Sequence, residues 1–235
     1  MMKSWKIPAR YQPKGFKIIY EDADLIVGEK SPGILTVAAA WERVNTVHHA
    51  LNLYVRKGNS RSRKSVFVVH RLDQATSGLL IFAKSEAVCQ KLKSEWKNVR
   101  KTYFTVVHGR LNVLSGEISS FLQEDEDYMV HVTDQDDKAK FAITRYTVVA
   151  SAHLFSLLKI DLVTGRKNQI RVHMASEGHP VVGDGKYGPA QKKHSRLALH
   201  SQALAFNHPV TGEPMLFDSA VPAYFYQLVP ANLLP

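Results

Sequence analysis

Apolar and polar residues alternate at every second position through much of this chain, and only a few short stretches switch to helical spacing. FKIIYEDADLIVGEKSPGILT, residues 16–36, predicts two short strands with turns at Glu21–Asp24 and Ser31–Gly33. Trp41, Val44, Val47, Leu51 and Val55 lie on one helical face and predict a helix over 41–55. Val66–Val69 and Leu79–Ala83 are apolar runs that read as buried strands. Between them, 70–78 reads as an irregular turn with Thr76, Ser77 and Gly78 as its breakers. Ser85 is placed to cap a helix in which Val88, Leu92 and Trp96 recur every fourth residue. KTYFTVVHGRL then alternates as a strand, and further strands follow near 116–121, 128–133, 140–150 and 154–163.

NQIRVHMASEG predicts a short helix with Asn168 capping its start and Gly178 and Pro180 marking its end. Ile170 and Met174 should pack inward, with Arg171 at the edge of that face. The last third adds RLALHSQALAF, a turn at HPVTGEP, the strand MLF and a closing helix AYFYQLV. No internal repeat is present. Strands mostly follow one another rather than alternating with helices. That order predicts an α+β fold with a mixed, largely antiparallel sheet flanked by helices and loops.

Composition bounds the reading. The chain has 235 residues, of which 45% are hydrophobic and 22% charged, enough to bury one large domain or two packed lobes. Low complexity is absent, which excludes extensive disorder. The single cysteine, Cys89, excludes an intramolecular disulfide and a multi-cysteine zinc site and fits a reducing cytoplasm. MMKSWKIPARYQPKGFK has no apolar core of a secretion signal, and no stretch approaches the ~20 apolar residues of a membrane span.

Charge changes the picture. With 31 Lys and Arg against 21 Asp and Glu, the net charge is +10, which attracts polyanions. A soluble basic protein with no special partner is the plainer alternative. RKGNSRSRKS, 56–65, concentrates Arg56, Lys57, Arg61, Arg63 and Lys64 in a Gly/Ser background and reads as a flexible basic loop suited to phosphate contact. Acidic residues gather elsewhere, at 124–127 and 134–137.

Three groupings could carry chemistry. Asp73 sits between two buried-type runs, where a carboxylate is costly unless paired or held at an opening to water. A turn Asp bonding nearby amides is the commoner explanation for such a residue. TGRKNQIRVH, 164–173, delivers Arg166 and Lys167 to a helix start, where anions are favoured, although basic decoration of a surface helix reads the same. On the 100–109 strand, Tyr103 next to Lys101 could stack on a base while cations hold phosphate; most strand tyrosines are simply core. Eleven histidines form no recognised metal-ligand spacing. There is no G-x-S-x-G elbow, Walker loop or G-x-G-x-x-G fingerprint. A catalytic Asp73 would therefore itself be nucleophile or base.

Together these stretches resemble the RluA-type RNA pseudouridine synthases, from about Phe16 to the end of the chain. HRLDQATSGLLIFAKS is similar to the family's active-site motif, with Asp73 at its essential aspartate. KTYFTVVHGRL is similar to the strand with its active-site tyrosine. LVTGRKNQIRVHMASEGHPVVGDGKYG and LHSQALAFNHPVTGEPMLF are similar to its third and fourth segments. The chain has Lys167-Asn168 where the family often has Thr-His; Asn caps helices well, so the helix start should stand.

The resemblance implies the pseudouridine synthase catalytic fold over 16–235, with a cleft between two sub-lobes. Many relatives begin with a separate small RNA-binding domain; the roughly fifteen residues before the first strand are too few for one, so 1–15 is expected to be an N-terminal extension and no separate N-terminal RNA-binding domain is expected. It implies an isomerase that detaches a uridine from its ribose at N1, turns it and rejoins it through C5, in ribosomal large-subunit RNA or tRNA, without cofactor or metal. Asp73 would attack sugar or ring, or remove a ribose proton. Tyr103 would stack on the flipped uracil, Arg171 would pair with Asp73, and Arg71 would enter the RNA stack where the base has left. Arg61, Arg63, Lys64, Lys101, Arg166 and Lys167 are the candidates for RNA backbone contacts. A cytoplasmic monomer with RNA as its partner is the expectation. An RNA-folding factor on the same fold, without chemistry, and a metal-dependent hydrolase are the alternatives.

Overall fold

The computed structural model describes residues 12–59, 61–189 and 196–230. In chain order its elements are β1 (Phe16–Glu21), β2 (Leu25–Lys30), α1 (Val47–Arg56), β3 (Phe67–Val68), β4 (Ser77–Ala83), α2 (Glu86–Ser94), a short 3-10 helix (Trp96–Asn98), β5 (Arg100–His108) and β6 (Ser115–Glu124). They continue with β7 (Val130–Thr133), β8 (Lys140–Ser151), β9 (Phe155–Leu162), α3 (Gln169–Ser176), β10 (Leu199–Asn207), β11 (Pro214–Asp218) and α4 (Ala223–Leu228). The chain divides into two units, Met1–Val99 with Leu204–Ser219, and Arg100–Ala203 with Ala220–Pro235. β10 contributes to both. The expected α+β class with a largely antiparallel sheet is borne out. Most of the extension expected over 1–15 lies outside the described residues.

In the first unit, β2 pairs antiparallel with β1 and with β4, the latter in unbroken register from Leu25↔Ala83 to Lys30↔Gly78. β4 is buried at every position, which is why its sequence is a continuous apolar run rather than an alternation. Leu25, Val27, Leu79, Ile81, Val88, Leu92, Leu204 and Phe217 belong to one core cluster. The turn after β1 is held by Asp22, whose Oδ1 accepts from the amides of Asp24 (2.8 Å) and Leu25 (2.6 Å). Ser85 caps α2 as expected, its hydroxyl accepting from the amide of Val88 at 3.3 Å.

One helix is shorter than its apolar spacing predicts. Residues 41–46 are not helical, and Trp41 and Val44 are 79% and 65% exposed. Thr46 takes an extended backbone and its hydroxyl accepts from the amide of His49, so α1 is capped there and starts at Val47. Val47 and Leu51 supply the buried face.

In the second unit, β9 pairs antiparallel with β5 and β8, and β6 pairs antiparallel with β8 and β7. α3 puts Ile170, Val172, His173 and Met174 inward, as the spacing of Ile170 and Met174 requires. Its start differs from expectation. Asn168 lies at φ 54 and makes no side-chain cap bond. Gln169 ties the helix down instead. Its Oε1 accepts from the Arg166 amide (2.9 Å) and the Thr164 hydroxyl (2.7 Å), and its Nε2 donates to Ile143 O and Thr144 Oγ1, both at 2.9 Å. An amide side chain carries both donors and acceptor, so it can satisfy the helix start and β8 together.

His173 completes this network, with Nδ1 at 2.9 Å from Thr144 Oγ1 and Nε2 at 3.0 Å from Ser120 Oγ. It is fully buried, and burial lowers its pKa to about 4. A histidine kept neutral in the fold but titrating near 6.5 when unfolded contributes stability above that pH and loses it as pH falls toward 4. The expected loss across that window is roughly 3 kcal/mol. Denaturant unfolding at stepped pH should show this slope in the native chain and a shallower one in His173→Gln.

Candidate active site

Asp73 lies in the connection between β3 and β4 and is half-buried. The residues on both sides of it are anchored. Thr36 Oγ1 donates to Leu72 O at 2.9 Å and accepts from Leu72 N at 3.2 Å. Gln74 O accepts from Gly33 N (2.8 Å) and from Lys30 Nζ (2.9 Å), and Gln74 Nε2 donates to Gly33 O at 3.0 Å. Gly33 meets this loop at φ 89, a backbone conformation that disfavours side chains. Thr76 N closes the turn on Asp73 O at 3.1 Å. Upstream, His70 packs against Trp96 in a tilted ring pair with centroids 4.5 Å apart and accepts from the Ile81 amide at 3.1 Å. Arg71 is exposed. The opening of the HRLD stretch is thus bound to β4, its Leu is core, and its Arg faces water.

The same unit carries the basic loop. Arg61, Arg63 and Lys64 are exposed. The loop has some internal order: Arg56 Nε donates to Lys64 O at 3.1 Å, and Asn59 Oδ1 accepts from Arg61 N at 3.0 Å.

In the second unit, Tyr103 and Lys101 share one face of β5, and both are buried, at 7% and 6% exposure. Lys101 therefore departs from the expectation of an ammonium reaching out to phosphate; burial pulls its pKa below the ordinary value. Arg171 projects from α3 into a tight set of partners. Its Nε and Nη2 donate to Asp184 Oδ2 and Oδ1, each at 2.7 Å, and its Nη1 donates to Asn168 Oδ1 at 3.1 Å. The Tyr187 ring stands 5.1 Å from the guanidinium carbon. Asn168 Nδ2 in turn donates to the Tyr187 hydroxyl at 2.9 Å, so the residue expected to cap α3 braces its arginine instead. Arg166 and Lys167 are exposed, with Lys167 paired to Glu124 and its ammonium 5.4 Å from the Tyr128 ring.

Asp184 was not singled out by its sequence pattern. Its side chain is 0% exposed and that of Arg171 is 11%. Burial pushes the Asp184 carboxyl up, but the hydrogen bonds and charge of Arg171 and the amides of Lys186 and Tyr187 outweigh it and hold the pKa below the usual carboxylate range. GDGKYG could have signalled this, since an Asp flanked by two glycines favours a turn closed on its own carboxylate.

Among the described residues, Asp22, Asp24 and His208 are grouped as a metal ion would require. Asp22, however, already accepts from Tyr20 (2.5 Å), His208 (3.0 Å) and two amides, the bonding of a structural turn. No helix among them is long and apolar enough to cross a membrane.

Comparison with known proteins identifies the family. The family model described as RNA pseudouridylate synthase matches residues 24–176, and the chain belongs to that family. The resemblance read from the motifs is borne out, and the chain is an RNA pseudouridine synthase, an isomerase with RNA as its substrate. It is 32% identical over 220 residues to the uncharacterized RNA pseudouridine synthase YjbO of Bacillus subtilis, covering 93% of this chain and 77% of that one. It is 31% identical over 231 residues to ribosomal large subunit pseudouridine synthase D of Zymomonas mobilis, covering 92% and 73%. The solved structure of human RNA pseudouridylate synthase domain containing 1 shares the fold, with a TM-score of 0.74 at 23% identity over 94% of this chain and 90% of that one.

Removing one partner of a buried ion pair leaves the other charge uncompensated. Asp184→Asn should therefore cost about 3 to 5 kcal/mol in denaturant unfolding. The double variant Arg171→Met, Asp184→Leu should recover much of that loss, because neither charge then remains buried.

Proposed function

We propose that this enzyme converts specific uridines in structured RNA, of the ribosomal large subunit or tRNA, to pseudouridine, with Asp73 as its essential carboxylate and residues 16–235 as its catalytic domain. The observation that carries this reading is the fixing of Asp73: a half-buried carboxylate whose neighbours Leu72 and Gln74 are both tied to another loop, at the entry to a fully buried strand. A carboxylate serving only to close a surface turn needs no such bracing. Relatives named ribosomal large subunit pseudouridine synthase D, from Zymomonas mobilis at 31% identity and Borreliella burgdorferi at 35%, support ribosomal RNA among the substrates.

In the proposed reaction the N1–C1′ bond breaks, the uracil turns, and a C5–C1′ bond forms. The C5 proton departs and N1 takes up a proton, so the product is an isomer. A base inside structured RNA must first leave its stack, at a cost of a few kcal/mol. Tyr103 offsets part of this by stacking on the uracil, and Arg71 enters the space the base vacates. Arg171 pairs with the Asp73 carboxylate. The bonds to Asp184 and Asn168 fix the plane of its guanidinium. Arg61, Arg63 and Lys64 supply phosphate contacts, with Arg166 and Lys167 in support.

Asp73→Asn should abolish pseudouridine formation on RNA from cells lacking the protein while leaving RNA binding nearly intact; undiminished product would remove the assignment and favour an RNA-folding role. Neutralising Arg61, Arg63 and Lys64 together should flatten the dependence of log K on log salt by about 2 to 3, near the loss of three phosphate contacts. An unchanged slope would place the loop outside the RNA path.

A further inference from the structure

Lys30 ends β2 with the side chain of a surface residue and the burial of a core one, at 1% exposure. Its Nζ donates to Ser31 O at 3.0 Å, Ile34 O at 2.9 Å and Gln74 O at 2.9 Å. Three acceptors match the three protons of an ammonium, whereas a neutral amine could satisfy only two. Two of those carbonyls belong to the 31–36 loop. The third belongs to the residue after Asp73. The same 31–36 loop provides Thr36, which holds both backbone groups of the residue before Asp73.

We propose that Lys30 and Thr36 are positioning residues for Asp73, a clamp that fixes the Leu72–Asp73–Gln74 backbone from both sides and so sets where the carboxylate stands when it meets the substrate. This rests on the reading of Asp73 as the catalytic carboxylate. Neither clamp residue needs to touch RNA. Lys30 is sealed from solvent, and the Thr36 hydroxyl is committed to main chain in both directions.

Electrostatics supports the placement. Burial pulls the Lys30 pKa down to about 7, and the Asp73 carboxylate pulls it back up, so ammonium and carboxylate are close enough to interact. The hydrogen bonds of the buried ammonium fix the main chain on the far side of Asp73. Serine at residue 36 would keep the two bonds to Leu72; valine would keep the shape and lose both.

The test compares steady-state kinetics of Lys30→Met, Thr36→Val, Thr36→Ser and Asp73→Asn in the full chain, with thermal unfolding of each. A displaced carboxylate slows the chemical step by about 10- to 100-fold. That loss should appear in kcat for Lys30→Met and Thr36→Val, with KM for RNA nearly unchanged and Thr36→Ser close to native. Should Lys30→Met fail to fold, the Thr36 pair alone decides. Native kcat in folded Lys30→Met or in Thr36→Val, or a loss confined to KM, overturns the clamp. Full activity in Asp73→Asn instead overturns the reading beneath it, whatever the clamp variants do.

Discussion

A positive charge taken out of water must be met by other charges or dipoles, and this constraint shapes the proposed site in each unit. Arg171 is met by a buried carboxylate, with both oxygens of Asp184 engaged and an aromatic ring near the guanidinium. Lys30 is met by three main-chain carbonyls. The two solutions differ in consequence. A bidentate carboxylate fixes the plane of a guanidinium, whereas carbonyls around an ammonium fix the loops that supply them. Both turn the cost of desolvation into positional definition. Breaking either leaves an unmet charge or unmet carbonyls, and so is costly out of proportion to the number of bonds lost.

The surrounding elements make this possible. β4 is buried throughout and paired along its length with β2, so the loop entering it starts from a rigid edge. The 31–36 loop leaves the same end of that pairing, after Lys30, opposite Gly78 in the register. Strand pairing therefore brings the two loops together, and hydrogen bonds from Thr36, Gly33 and Lys30 finish the work. In the second unit, Gln169 fastens the start of α3 to β8, and Asn168 and Asp184 then orient the arginine two residues beyond. A reacting group is held well when the backbone beneath it and the partners beside it are both fixed.

Much of this was legible in the sequence. Strand alternation, the Ser85 cap and the inward face of α3 follow from local periodicity and capping chemistry, which depend on near neighbours. The loss of helix over 41–46 did not follow, because Trp41 and Val44 carry the right spacing but the Thr46 cap fixes the start at Val47. Spacing reports what a face could bury, not whether anything covers it. Asn168 misled for a related reason. Its capping propensity is real, yet its amide is drawn to Arg171 and Tyr187, partners that exist only in the folded chain. Asp73, Arg71, Tyr103 and Arg171 were singled out by motif. Lys30, Thr36 and Asp184 were not, because their importance lies in bonds to residues 13 to 44 positions away. Sequence patterns show which side chains could do chemistry more readily than which ones hold them in place.

The net charge of +10 also divides on closer reading. Lys30 and Lys101 are buried, and Arg171 is paired to Asp184. Such charges are committed to the fold and lend little to the long-range attraction of a polyanion. Arg61, Arg63, Lys64 and Arg71 remain exposed in the first unit. Exposed cations contribute to binding through release of counterions, and their effect fades with salt. Committed ones contribute through geometry, which salt barely touches. The acidic run at 124–127 fits this division. It lies beside Lys167 and Lys186, which also bind the Tyr128 carbonyl, so it tempers their charge locally. Under the proposed function, recruitment of RNA rests on the exposed cations while the committed ones serve geometry, so ionic strength acts on the first far more than on the second.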